Sequence, residues 1–470
     1  MISNFFKEKI KENFGFEPTS EQNIALDKIV DFLFLQKDES IFLLRGYAGT
    51  GKSSLLGALV KTMTEFKQKT VLLAPTGRAA KVFSSYANHP AFTIHKKIYR
   101  QQKYTGDTGS FGLMDNLYKD TLFIVDEASM ISNDGLDSSY FGTGRLLDDL
   151  IHYVYSGENC RMLLIGDSAQ LPPVGEEDSP ALQTPVLQGY GLDVKDALLS
   201  QIVRQAESSG ILFNATNIRN ALKKGKTEKY PKLKLNKFTD IKKISGEDLI
   251  DEISTAYDRD GLENTMVITR SNKRCNIYNQ GVRNRILYRE EELSSGDMLM
   301  ITKNNYFWTE KVEGIDFLAN GEIVEVLRVR REQELYGFRF LDVLVKSIDY
   351  DIEIEIKILL DTLYSDAAGL TRDRAQELFL NVLEDYADLS TRQAKMRRLK
   401  TDPFFNAVQV KFAYAVTCHK AQGGEWTNVF LDLGYISEEH MGINFYRWLY
   451  TAITRASSKL YLVNLPDEFV

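Results

Sequence analysis

Cysteine is scarce in this chain, and the residues present, Cys160, Cys275 and Cys418, lie far apart with no CxxC spacing. That distribution excludes a disulfide framework and a cysteine-built zinc site, and it fits a reducing compartment. Long hydrophobic runs are missing too. No uncharged apolar stretch approaches the roughly eighteen residues that read as a membrane-spanning helix. The stretch Met1–Lys11 carries Lys7, Glu8, Lys9 and Lys11 where a secretory signal would have an apolar core. A cytoplasmic protein without membrane contact is expected. Positive charge is not in excess either: 58 Lys and Arg against 65 Asp and Glu give a net charge of −7. No global field attracts a polyanion, although a local basic track suffices for one.

What is present suits a globular protein with a sizeable core: 43% hydrophobic and 26% charged over 470 residues. Short β-branched apolar runs recur at Ile41–Leu44, Thr70–Ala74, Leu122–Val125, Met162–Ile165, Met266–Thr269, Val429–Leu433 and Leu460–Val463. Separated by helical patterns, such runs read as parallel strands buried on both faces. Their clustering before residue 170 and after residue 260 predicts an α/β protein with two doubly wound domains. Some segments break the pattern. Arg100–Lys119 is polar and dotted with glycine and aromatics, which predicts a small inserted hairpin. Asp297 to about Val345 reads as several short strands with a tight turn at Asn320-Gly321. Asp361–Lys400 is strongly helix-forming and ends in Arg392, Lys395, Arg397, Arg398 and Lys400. A helix macrodipole favours such a basic end as readily as a ligand would.

The chemistry is most pointed at Gly46-Tyr47-Ala48-Gly49-Thr50-Gly51-Lys52-Ser53, a complete G-x-x-x-x-G-K-S phosphate loop. It sits between an apolar run and a helix-like run, Leu55 to Met63, and that context sets it apart from a mere glycine-rich turn. Glycines let backbone N–H groups wrap a triphosphate, Lys52 reaches the β/γ-phosphates and Ser53 holds Mg²⁺. Downstream, Leu122–Val125 ends in Asp126 and Glu127. Behind a phosphate loop the first acid is expected to hold Mg²⁺ and the second to deprotonate the attacking water. Gln170 follows the run Met162–Ile165, where an amide could sense γ-phosphate; a Pro-terminated loop is the plainer reading. Arg455 lies so far along the chain that it suggests an arginine finger reaching from a second domain, against a structural arginine in a helix.

The order of these pieces resembles the superfamily 1 helicases, and within them the RecD/Dda-like 5′→3′ DNA helicases of the 1B branch. Pro18-Thr19-Ser20-Glu21-Gln22 resembles the Q motif, GYAGTGKS motif I, APTGRAAK (Ala74–Lys81) motif Ia, and Thr93-Ile94-His95 the short DNA-contacting motif. DEAS resembles motif II, GDSAQLPPV motif III, Ile202-Val203-Arg204-Gln205 motif IV, TCHKAQG motif V and YTAITRA motif VI. The resemblance implies two tandem RecA-like parallel-sheet domains, with a small hairpin inserted in the first and a β-barrel plus helical extension in the second. The implied bounds are 1–207 for the first domain (hairpin at about 97–119), 208–296 with 406–470 for the second, and 297–405 for the insertion. Within that insertion the barrel spans about 297–350 and the helical part about 361–400.

It also implies an ATP hydrolase acting with Mg²⁺ as a DNA helicase or translocase on single-stranded DNA and single-strand/duplex junctions, working as a monomer. Lys52, Asp126, Glu127, Gln170, Arg204 and Arg455 would be catalytic. Gln22, Gly46, Ala48, Gly49, Thr50, Gly51, Lys52, Ser53, Ser54, Gly423 and Glu425 would bind the nucleotide, with Gln22 on the adenine edge and Ser53 and Asp126 on the metal. Pro75, Thr76, Arg78, Thr93, His95, Thr417, His419 and Lys420 would grip the nucleic acid through phosphate and sugar. An RNA translocase of the same superfamily stays open. So does a nucleotide-gated single-strand-binding or scaffold protein with slow ATPase.

Overall fold

The computed structural model describes residues 2–34, 39–101, 111–135, 142–203, 208–315 and 317–470. The first part of the chain supplies β1 (Ser40–Gly46), β2 (Lys69–Ala74), β3 (Ala91–Thr93), β4 (Tyr99–Gln101), β5 (Phe111–Leu113), β6 (Thr121–Val125), β7 (Arg161–Gly166) and β8 (Asp193–Leu199). Six of these form one parallel sheet in the order β3-β2-β6-β7-β1-β8. Its central strands are apolar throughout because both faces are covered. Phe42 and Leu44 point into a core shared with Phe6, Leu26 and Leu55. Ile41 and Leu43 point the other way, toward Phe123, Leu147 and Leu164.

The second parallel sheet uses β9 (Ile241–Ile244), β10 (Thr265–Thr269), β16 (Ala415–Thr417), β17 (Trp426–Asp432) and β18 (Ala456–Val463), ordered β16-β10-β17-β18-β9. Between β10 and β16 the chain builds a closed barrel from β11 (Met298–Ile301), β12 (Ile323–Leu335), β13 (Phe338–Ser347), β14 (Glu353–Leu359) and β15 (Val408–Phe412). Two RecA-like sheets with a barrel inserted in the second is the architecture expected. β14 lies past residue 350 and β15 past 405, because closure needs a return strand that pairs with both β14 and β11. The hairpin expected at Arg100–Lys119 begins as the antiparallel pair β4–β5, and its tip lies outside the described residues.

Asn320-Gly321 does turn, with the Glu322 N–H donating to Ala319 O at 3.0 Å and Gly321 at φ 92°, but it ends the long connection into β12; the two-residue hairpin turn lies elsewhere. It falls at Tyr336-Gly337, between β12 and β13, where φ is 59° and 72°, the pair of positive values a two-residue hairpin requires. Tertiary contacts override local preference there: the Tyr336 ring packs edge-on against Phe404, and its hydroxyl donates to Asp385. The helices Arg372–Glu384 and Arg392–Lys400 close one side of the barrel by packing Leu378, Val382 and Leu399 onto Phe338, Phe340 and Leu359.

Where the chain enters the barrel, Asp297 is fully buried. It accepts from Arg283 Nε and NH2 at 3.0 Å each and from Tyr414 Oη at 2.7 Å, and it pairs with Arg289. Arg283 belongs to the helix Asn272–Arg285 of the second lobe and Tyr414 to the exit from the barrel. One carboxylate thus knots entry, exit and supporting helix together.

Candidate nucleotide and nucleic-acid site

β1 runs straight into the phosphate loop, and the helix Lys52–Glu65 leaves it. Gly49 and Gly51 have φ of 73° and 78°, values that only glycine adopts at little cost. A Cβ on Gly51 would lie 2.5 Å from Gln22 Nε2 and one on Gly46 2.8 Å from the Lys52 stem, so a side chain at either place would displace Gln22 or Lys52. No side chain caps this helix, which leaves its first N–H groups free to meet an anion. Ser53 and Ser54 lie at that end, both exposed. Lys52 Nζ folds back onto Gly46 O at 2.7 Å and Tyr47 O at 2.9 Å. Gln22 is buried, and its amide braces the loop: Nε2 donates to Thr50 O at 2.9 Å, and Oε1 accepts from Thr19 N at 2.8 Å.

β6 delivers the acidic pair. Asp126 Oδ1 accepts the Glu127 N–H at 2.8 Å, and Oδ2 accepts the Tyr86 hydroxyl. Burial pushes the Asp126 carboxyl up, opposed by Tyr86, the Glu127 N–H and Lys52. Glu127 sits at φ 51°, a strained position for a side-chain-bearing residue that aims its carboxylate. Burial raises its pKa to about 6, with Asp126 and Asp167 adding to the rise and Arg455 and Lys52 opposing it. The donor set suits Mg²⁺. Among the described residues no group of three His, Cys, Asp or Glu could cage a metal. One carboxylate and one hydroxyl beside a phosphate cradle is how this cation is held.

The second lobe reaches into the same cleft through the helix Ile443–Ile453. Tyr450, buried, accepts the Ala48 N–H at 2.9 Å and donates to Asp167 Oδ2 at 2.6 Å. Thr451 Oγ1 accepts the Leu171 N–H at 2.9 Å, and Gln422 Nε2 donates to Leu171 O at 2.8 Å. Between these clamps lies Gln170, whose buried Oε1 has no partner. Arg455, also buried, directs Nε to Thr451 O and NH1 to Gly424 O, both at 3.0 Å.

The two lobes also meet at the helix Gly77–Ala87. Arg78 stacks 4.1 Å over Trp426 and donates to Glu425 O at 3.2 Å. A Cβ on Gly423 would lie 3.0 Å from Ala79 Cβ. Gly423 and Glu425 thus face this helix, with no contact to the phosphate loop among those described. Pro75 and Thr76 precede the helix; Thr76 caps it by accepting the Ala79 N–H, and Thr93 caps the next, accepting the Lys96 N–H, each at 3.2 Å. Each hydroxyl keeps its proton to donate. Burial lowers the His95 pKa to about 4, so the imidazole is neutral near pH 7; His419 is shifted the same way, by burial and then by Lys420. Thr417 ends β16, and Lys420, lowered to about 8 by burial, donates to Asn320 on the barrel. Arg204 lies outside the described residues. Tyr86, Tyr450 and Arg219, whose guanidinium stacks 4.4 Å over Tyr47, were not singled out from the sequence: no local pattern marks a contact made across so much chain.

An AAA domain family model matches residues 19–243, and a UvrD-like helicase C-terminal domain model matches 412–463. An uncharacterised protein of Acanthamoeba polyphaga mimivirus is 22% identical, covering 94% of this chain and 98% of its own. The ATP-dependent RecD2 DNA helicase of Deinococcus radiodurans is 25% identical over 94% of this chain, which spans 48% of that helicase's length. Among solved structures, a Pif1 helicase described as unwinding forked duplex DNA has a TM-score of 0.48 at 16% identity, covering 97% of this chain and 93% of that one. A Bacteroides Pif1 complex with ADP-AlF3 and single-stranded DNA has a TM-score of 0.46 at 16% identity, covering 97% and 94%. Among the described residues no helix is long and apolar enough to cross a membrane.

Proposed function

We propose, from the chain's membership of the superfamily 1 helicases in their RecD/Dda-like (1B) branch, that it is an ATP-driven motor on single-stranded DNA. It moves 5′→3′ and separates strands at junctions. The observation that carries this reading is the shared cleft: Tyr450 of the second lobe hydrogen-bonds the phosphate loop, while Arg455 acts on the charge of Glu127. Lys52 and the loop N–H groups bind the β/γ-phosphates, and Ser53 and Asp126 hold Mg²⁺, which neutralises charge on those phosphates when bound. Glu127 takes the proton of the attacking water, and Gln170 orients on the γ-phosphate. Arg455, freed from Gly424 O, meets the charge that develops on the transferring phosphoryl group. Closing and opening of the cleft alternately tightens and loosens the grip of Thr76, Thr93, Thr417 and Lys420 on the DNA backbone.

Lys52→Ala should reduce ATP hydrolysis to background while single-stranded DNA binding survives. A purified variant that turns over like wild type would remove Lys52 from the site. The direct test of the motor is unwinding of matched duplexes carrying a 5′ or a 3′ single-stranded tail, with and without ATP. ATP-dependent unwinding confined to the 5′-tailed duplex is expected. Unwinding of neither duplex, with ATPase stimulated equally by RNA, would transfer the activity to the RNA or scaffold reading.

A further inference from the structure

The last turn of the helix Gly77–Ala87 sets the Tyr86 hydroxyl on Asp126 Oδ2. Its ring is held firmly. Phe83 stacks on it with centroids 5.1 Å apart. The helix after the phosphate loop comes so near that a Cβ on Gly57 would lie 2.8 Å from the Tyr86 carbonyl oxygen. With the Glu127 N–H on the other carboxylate oxygen, Asp126 is gripped by two donors, and each oxygen keeps a lone pair for a cation. Outer partners of this kind fix the orientation of a metal-binding group. The other end of the same helix begins at Thr76 and Arg78, where the second lobe packs through Trp426 and Gly423. An 11-residue helix is a rod of about 16 Å at 1.5 Å per residue. A tilt imposed at its first turn therefore arrives at Tyr86.

We infer that Tyr86 is a positioning residue: it presents the Asp126 carboxylate to the divalent cation and ties that presentation to whatever occupies the Thr76 end of its helix. The inference deepens the proposed function and rests on its assignment of Asp126 to the metal and of Thr76 to DNA. Tyr86→Phe keeps the ring, the Phe83 stack and the helix, and removes one hydroxyl. Binding of Mn²⁺ together with ADP, followed in DNA-free protein by the resonance signal of free Mn²⁺, should weaken about ten-fold, the lower end of what losing such a partner costs. Stimulation of hydrolysis by single-stranded DNA, measured against the DNA-free rate, should fall by a similar factor. Mn²⁺ affinity within about two-fold of wild type overturns the inference, and so does an undiminished stimulation factor. The Mn²⁺ measurement needs neither hydrolysis nor DNA. A wild-type protein unresponsive to DNA would therefore sink the motor and the relay, while the link from Tyr86 to the metal is still decided.

Discussion

Glu127→Gln should abolish turnover and at the same time leave a more stable protein. The amide keeps the volume and polarity of the side chain but cannot accept a proton, and a general base contributes about 10²–10⁴-fold. A kcat close to wild type would mean that another group activates water. The gain in stability follows from the carboxyl's pKa of about 6 against a reference of 4.5. Between those values the folded chain holds a proton that the unfolded chain has released, so stability is lost as pH rises through that window. Above pH 6 the loss is complete, on the order of 2 kcal/mol. The substituted amide carries no such penalty, and the variant should melt a few degrees higher at pH 7.5 but not at pH 4. In the wild type the same group should make kcat/KM fall about ten-fold per pH unit below about 6.

Arg455→Ala should lower kcat by about 10³–10⁵, as loss of an arginine finger does, and change ATP affinity far less. In this structure the guanidinium donates to Gly424 O and Thr451 O, so in the proposed mechanism its contact to phosphate would form only as the cleft closes. An interaction absent from the ground state appears in kcat and not in binding. Arg455→Lys separates charge from geometry: the ammonium preserves one positive charge but not the planar fork. If both variants lose affinity and keep kcat, Arg455 has no transition-state role.

The motifs were legible because each is local: a loop, a strand end, a helix start. β1, β2, β6 and β7 announced themselves as unbroken apolar runs. β8, with Lys195 and Asp196 on a sheet edge, and β9, with Lys242 and Lys243 exposed between Ile241 and Ile244, did not, since an edge strand buries too little to need that pattern. β3 and β16 are too short to show one. The Asn320-Gly321 turn was legible and forms, whereas the Tyr336-Gly337 hairpin, steadied by packing of Tyr336 against Phe404, carried no comparable local signal. Gln22 was legible as part of the site, but its amide braces Thr50 in this structure. The second-lobe clamps on the Asp167–Leu171 loop were invisible, because Tyr450 and Thr451 meet it across more than half the chain.

The Asp297 knot has a mechanical consequence. It leaves the barrel little freedom of its own, so any movement of the second lobe would carry the barrel with it as a lever arm. Its attachments to the first lobe are of a softer kind: Lys81 on Ile348 O, Lys96 on Gly314 O, and the Phe111 ring 4.3 Å from Tyr306. In the proposed motor each power stroke would drag those across one another, so lubricating or stiffening that seam should tune stepping speed without touching the fuel.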